Sequence, residues 1–140
     1  MENLFKLVEK LKNKNISEDE KEKKIIQIVD LVRFIEYYKS SIKIEDCFSY
    51  DINIVLDNDS LKGILFCDVN KFHNIFSSNY NLTHFKTKLE LDELWFVFVL
   101  EHDLPCLDEI LMFIEEHCIR KHYNKVFIFN FFQAQINEVQ

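Results

Sequence analysis

Nine carboxylates lie within residues 89–119, a stretch that contains no Lys or Arg. Acidic side chains at this density can hold a divalent cation, act as general acids or bases, or attract a basic protein surface. They can also form the solvated side of an ordinary strand and helix. We interpret eight of the nine as candidate partner-binding residues: Asp92, Glu93, Glu101, Asp103, Asp108, Glu109, Glu115 and Glu116.

A metal site is the first alternative to partner binding. The residues His102, Cys106, Cys118 and His122 follow the spacing H-x3-C-x11-C-x3-H, and both residue types are zinc ligands. Residues 106–122 have the periodicity of one helix, in which Cys106 and Cys118 would be about 18 Å apart. That separation is too large for two zinc–sulfur bonds of about 2.3 Å. We therefore expect no metal and no cofactor.

A metal-dependent nuclease is the second alternative. The order of the predicted elements resembles that of restriction-endonuclease-like domains, a likeness of topology that does not by itself give function. Such a site needs an acid on one strand and an acid-x-Lys motif on the next, to hold Mg²⁺ and orient water. The E-x-K motif of this chain, at residues 22–24, lies on a predicted helix, and Lys86, Lys88 and Glu90 alternate in the wrong order.

Nucleophilic catalysis and nucleotide binding each lack part of the motif that they need. Cys106 at a helix start, with His102 nearby, could be a nucleophile, but the surrounding acids disfavour the thiolate. The single glycine, Gly63, cannot supply a P-loop or a dinucleotide-binding motif.

Charge is unevenly distributed along the chain, whose net charge is −7. Residues 1–43 carry about +2, whereas residues 44–140 carry about −9. An acidic surface repels phosphates and attracts basic proteins, so we expect no direct binding of nucleic acid. We interpret the N-terminal lysines, which are interleaved with acids, as a solvated helix face.

The composition favours a single domain in a reducing compartment. A chain of 140 residues can bury a core without disulfides, and its four cysteines form no C-x-x-C pair. The N-terminus lacks the apolar run of a signal peptide, and the longest apolar run, residues 94–100, is too short to span a membrane. We expect a cytoplasmic protein with no membrane association.

The positions of these residues depend on the predicted elements, which we assign from hydrophobic periodicity. Helices are predicted at residues 2–13, 17–39, 69–77 and 106–122, and strands at 50–56, 62–67, 83–91, 94–100 and 125–132. The order α-α-β-β-α-β-β-α-β predicts an α+β fold with a mixed five-stranded sheet and helices packed on it. Residues 1–40 would form a helical pair, and residues 50–132 the sheet with two helices.

Two details of this assignment bear on function. Residues 94–100 are apolar on both faces and predict a central strand, joined to the last strand by a β-α-β crossover that makes the two parallel. The crossover helix, residues 106–122, has a predicted core stripe of Leu107, Ile110, Leu111, Ile114 and Cys118.

The missing counter-charge favours a docking face over a solvated one. Outer helix faces usually mix signs, because Glu–Lys pairs one turn apart stabilise a helix. We therefore expect a small binding module, a stoichiometric inhibitor of the immunity or anti-defence type that docks a basic partner such as a nuclease or a toxin. The alternatives are the nuclease and a structural subunit or homodimer that associates through the apolar helix Ile25–Tyr38.

Overall fold

The structure is a computed structural model that describes residues 4–47, 52–68, 90–100, 107–116 and 118–139. Helix α1 spans Leu4–Lys12 and helix α2 spans Glu18–Tyr38. Ser17 caps α2, since its hydroxyl accepts a hydrogen bond from the backbone N–H of Glu20 at 3.2 Å. Both predicted N-terminal helices are confirmed in position.

Six strands form one mixed sheet within the described residues, in the spatial order of the sequence. They are β1 (Lys43–Asp46), β2 (Asn53–Asp57), β3 (Ser60–Asp68), β4 (Glu93–Leu100), β5 (Lys125–Asn130) and β6 (Gln135–Glu138). Strands β3, β4 and β5 are parallel to one another, while β1–β2, β2–β3 and β5–β6 pair antiparallel. The predicted hairpin and the parallel crossover pair are both confirmed.

The α+β class is confirmed, but the predicted count of five strands is wrong. Strands β1 and β6 have the sequences KIED and QINE, in which apolar and polar residues do not alternate over enough positions to predict a strand. The predicted helix 69–77 lies outside the described residues. So does the predicted strand 83–91, except for its last two residues, which belong to no strand.

Helices cover both faces of the sheet. Alternate residues of β4 point to opposite faces, so Trp95 and Val97 pack with α1 and α2, while Phe96 and Phe98 pack with the C-terminal helices. Every residue from 94 to 100 is buried, which confirms the predicted central strand. The ring of Phe34, on α2, lies 5.2 Å from that of Phe127 on β5.

The prediction of one continuous helix over residues 106–122 is wrong. Helix α3 spans Leu107–Glu116 and a separate turn of helix, α4, spans Ile119–His122. Between them Cys118 has a left-handed backbone, with φ of 52°. This break turns Ile119 into the core and leaves Cys118 exposed, the reverse of the predicted stripe. Leu111 is also partly exposed, and Phe113 is buried instead.

Close packing explains why residue 63 is a glycine. A Cβ added at Gly63 on β3 would lie 2.5 Å from the Cδ1 atom of Ile52 and 2.7 Å from that of Leu91. The side chains of Ile52 and Leu91 therefore occupy the space in which a side chain at position 63 would lie.

Candidate functional site

The outer face of α3 carries the largest group of predicted site residues. Ile110, Phe113 and Ile114 are buried against the sheet, which leaves the other side of the helix in solvent. That side presents Asp108, Glu109, Met112, Glu115 and Glu116, all of them exposed. The centre of this surface is apolar, since Met112 lies there and is 60% exposed.

The four carboxylates occupy every neighbouring position around Met112. On a helix surface the neighbours of a residue are those three and four positions away in each direction. For Met112 these are Asp108, Glu109, Glu115 and Glu116, which we call the acidic ring. An exposed apolar side chain is thus enclosed by four negative charges.

The carboxylates of the acidic ring form no ion pair within the described part of the chain, although Arg120 and Lys121 line the same cleft as Glu115. Six other ion pairs are present there. Helix α3 itself has no basic residue in its last turn. An exposed apolar side chain enclosed by carboxylates is typical of a site for a complementary protein.

The two halves of the ring differ in their effect on the helix. Asp108 and Glu109 lie in the first turn of α3, where the helix dipole stabilises an acid. Glu115 and Glu116 are the last two residues of α3, where the same dipole destabilises an acid by about 0.3–1 kcal/mol each. Local helix stability therefore explains the first pair and argues against the second.

A shallow cleft adjoins the ring. It has a volume of about 380 Å³ and lies between α3, α4 and the residue after β6. Its walls include Leu111, Glu115 and Val139 and the basic residues Arg120 and Lys121 of α4. Partly exposed Leu111 extends the apolar part of the surface from Met112 towards this cleft.

Asp92 is exposed, and its carboxylate is hydrogen-bonded to β3. Its carboxylate accepts hydrogen bonds from the backbone N–H of Leu61 at 2.8 Å and from the hydroxyl of Ser60 at 3.1 Å. Its backbone N–H donates to the carbonyl of Leu61 at 2.8 Å. Asp92 therefore fastens the start of β4 to the start of β3.

Glu93 is also engaged within the fold. One of its oxygens pairs with the ammonium of Lys62 and accepts the indole N–H of Trp95 at 3.0 Å. Burial raises the pKa of Glu93, but the bonds from Lys62 and Trp95 and the charge of Lys125 outweigh it, so that the pKa is lowered. Lys62 and Lys125 both lie over the Trp95 ring, at 5.4 and 5.2 Å from its centroid.

The eight predicted residues do not form one group. Glu93 lies on the α2 side of the sheet, since it shares a strand face with Trp95, whereas α3 packs on the opposite side. Glu101 and Asp103 lie outside the described residues. Sequence reasoning missed Met112, although its position between pairs of acids three and four residues away was visible in the sequence.

The residues considered for metal binding and for nuclease chemistry lie only partly within the described segments. Those segments contain no group of three His, Cys, Asp or Glu residues that could hold a metal. The break at Cys118 removes the continuous helix from which the 18 Å separation was estimated, and His102 and Cys106 lie outside the described residues. The E-x-K motif at residues 22–24 lies on α2, as predicted, and none of the six described strands contains an acid-x-Lys motif.

Comparison with known proteins gives no family assignment. No protein-family model matches the chain, and neither a curated protein nor a solved structure matches it significantly. None of the helices described here is both long enough and apolar enough to cross a membrane.

Proposed function

We propose that this protein is a binding module, a stoichiometric inhibitor of the immunity or anti-defence type, which docks a basic protein through the outer face of α3. The observation that carries the proposal is the acidic ring around exposed Met112. Two of its acids lie where they destabilise their own helix, a cost that binding would explain.

The ring specifies the chemistry of the partner. Four carboxylates require a rim of Lys or Arg, and Met112 with Leu111 requires an apolar recess within that rim. A cleft that binds nucleic acid has such a basic rim. The preferred partner is therefore a nuclease or a toxin that acts on nucleic acid, and the carboxylates would occupy the positions of phosphates.

The remaining predicted residues take different roles in this proposal. Glu101 and Asp103 lie outside the described residues and stay candidate partner contacts on the sequence alone. Asp92 and Glu93 stabilise the fold through Leu61 and Lys62 rather than contact the partner. The proposed location is the cytoplasm, in keeping with the buried thiols of Cys47 and Cys67.

The test is capture from a lysate of the source cell with a matched pair of variants. Glu115→Gln/Glu116→Gln removes two charges from the ring, and Asp19→Asn/Glu22→Gln removes two exposed charges from α2. We expect the wild type and the α2 variant to capture the same basic protein, and the ring variant to capture much less of it. The captured protein should lose its activity when one equivalent of wild type is added.

Two results would overturn the proposal. One is equal capture of the same protein by the ring variant and the α2 variant. The other is a captured protein that is acidic or whose activity is unchanged by a stoichiometric amount of this chain.

A further inference from the structure

A groove of about 900 Å³ lies on the other side of the sheet from α3, between α1, the end of α2 and strand β1. Residues 40–42, which lead into β1, and the strand residues Lys43, Ile44 and Glu45 line it. Successive side chains of a strand point to opposite faces of a sheet, so three consecutive strand residues line a groove only along the edge of the strand. Within the described residues β1 is the outermost strand on its side. Among these residues the groove therefore follows the outer edge of the sheet.

The walls of this groove are basic. Lys6 and Lys10, one turn apart on α1, lie opposite the strand, and Lys43 belongs to the strand itself. All three are exposed, and in the described part of the chain none of them forms an ion pair. Glu45 is the one acid of the lining, so the groove has a net positive charge in a protein of net charge −7. We call it the basic groove.

The inner surface of the basic groove is apolar. Val32 and Ile35 from α2 and Ile42 and Ile44 from the strand side line it and belong to or pack against the hydrophobic core. An occupant would therefore place apolar side chains inward and charged side chains towards the lysines. In an extended chain these two directions alternate from one residue to the next.

We infer that the basic groove binds a short extended segment of a partner protein in which acidic and apolar residues alternate, and that this segment adds to the sheet beside β1. Main-chain hydrogen bonds to the edge of β1, which no described strand occupies, supply affinity, and the apolar lining and the lysines supply specificity. Since β1 has four residues and an irregular register between Ile44 and Asp46, the added strand is about four or five residues long.

A second copy of this chain fits the groove less well. Pairing of β1 with its own copy would bring two sets of Lys6, Lys10 and Lys43 together, and like charges at close range oppose association. The inference does not depend on the acidic ring, which lies on the opposite face of the sheet.

The probe is a labelled peptide, Val-Glu-Val-Glu-Val-Glu-Val, whose binding to the full chain is measured by fluorescence anisotropy. A second peptide of the same sequence carries N-methyl groups on alternate backbone amides, so it keeps the charges and loses strand hydrogen bonds. We expect the first peptide to bind and the methylated one to lose at least tenfold in affinity. Hydrogen exchange at residues 42–45 should slow only with the first peptide.

Protein variants locate the binding. Lys10→Gln/Lys43→Gln should weaken binding by about tenfold, since each partly exposed charge pair is worth up to about fivefold. The control Lys23→Gln/Lys121→Gln removes two exposed lysines outside the groove and should change affinity little. Glu115→Gln/Glu116→Gln should bind the peptide as the wild type does, which separates this test from that of the proposed function.

Several outcomes would overturn the inference. They are no binding at millimolar peptide, equal affinity for the methylated peptide, equal losses in the groove and control variants, and displacement of the peptide by a short single-stranded oligonucleotide at lower concentration. Displacement by the oligonucleotide would indicate that the lysines bind the phosphates of a nucleic acid instead.

Discussion

Opposite effects on stability are expected from neutralising the two halves of the acidic ring. Glu115 and Glu116 end α3, where each acid costs about 0.3–1 kcal/mol through the helix dipole. Glu115→Gln/Glu116→Gln should therefore raise the free energy of unfolding by about 1 kcal/mol, or the melting temperature by about 3 °C for a chain of this size. Asp108→Asn/Glu109→Gln removes the same charge from the first turn and should lower stability by a similar amount.

The assay is urea unfolding at low salt, repeated at about 1 M NaCl, where the Debye length falls to about 3 Å and dipole effects are screened. The two double variants should differ by about 2 kcal/mol at low salt and converge at high salt. Both should nevertheless weaken partner binding. If the Glu115/Glu116 variant is destabilised at low salt, these acids have stabilising contacts inside the protein, and the argument that they are retained for binding fails.

Three further predictions concern the fold. Gly63→Ala should lower the free energy of unfolding by about 1–3 kcal/mol, because the added methyl group overlaps Ile52 and Leu91; urea unfolding that matches the wild type would refute this. Glu93 has a lowered pKa, so its stabilising contribution is present above its ordinary pKa and is lost as pH falls through the lowered value. Glu93→Gln should therefore flatten the decline of the melting temperature on the acid side, and an unchanged pH profile would contradict the Lys62 and Trp95 contacts. Cys118→Gly should raise stability by about 0.5–1 kcal/mol, since glycine adopts the left-handed backbone without strain; a lower melting temperature by calorimetry would count against it.

The sheet centre was predictable because its residues carry strong patterns. The run 94–100 is apolar on both faces, a pattern typical of a strand that is buried on both sides. The helix that follows this run predicts that the next strand, β5, pairs with it in parallel. Strands β1 and β6 carry no such pattern and form because β2 and β5 offer them a free edge. Whether a short polar segment pairs with the edge of a sheet depends on residues distant in the sequence, so four residues alone do not predict it.

The candidate site was only partly predictable. The missing counter-charge of the acidic stretch was visible in the sequence, as was the position of Met112. The bonding of Asp92 to Leu61 was not, since it joins residues 31 positions apart that only the sheet brings together. The break at Cys118 was not predictable either, because no glycine or proline lies there. It accompanies the burial of Ile119, which depends on the tertiary packing.

The central claim is that the outer face of α3 docks a basic partner, and the association rate with the captured protein tests it most directly. The rate should fall steeply, by about tenfold or more, between low salt and about 0.5 M NaCl. It should fall by a similar factor at low salt in Glu115→Gln/Glu116→Gln, and Met112→Ala should speed dissociation instead. An association rate that is independent of salt and equal in the wild type and the ring variant would contradict the account.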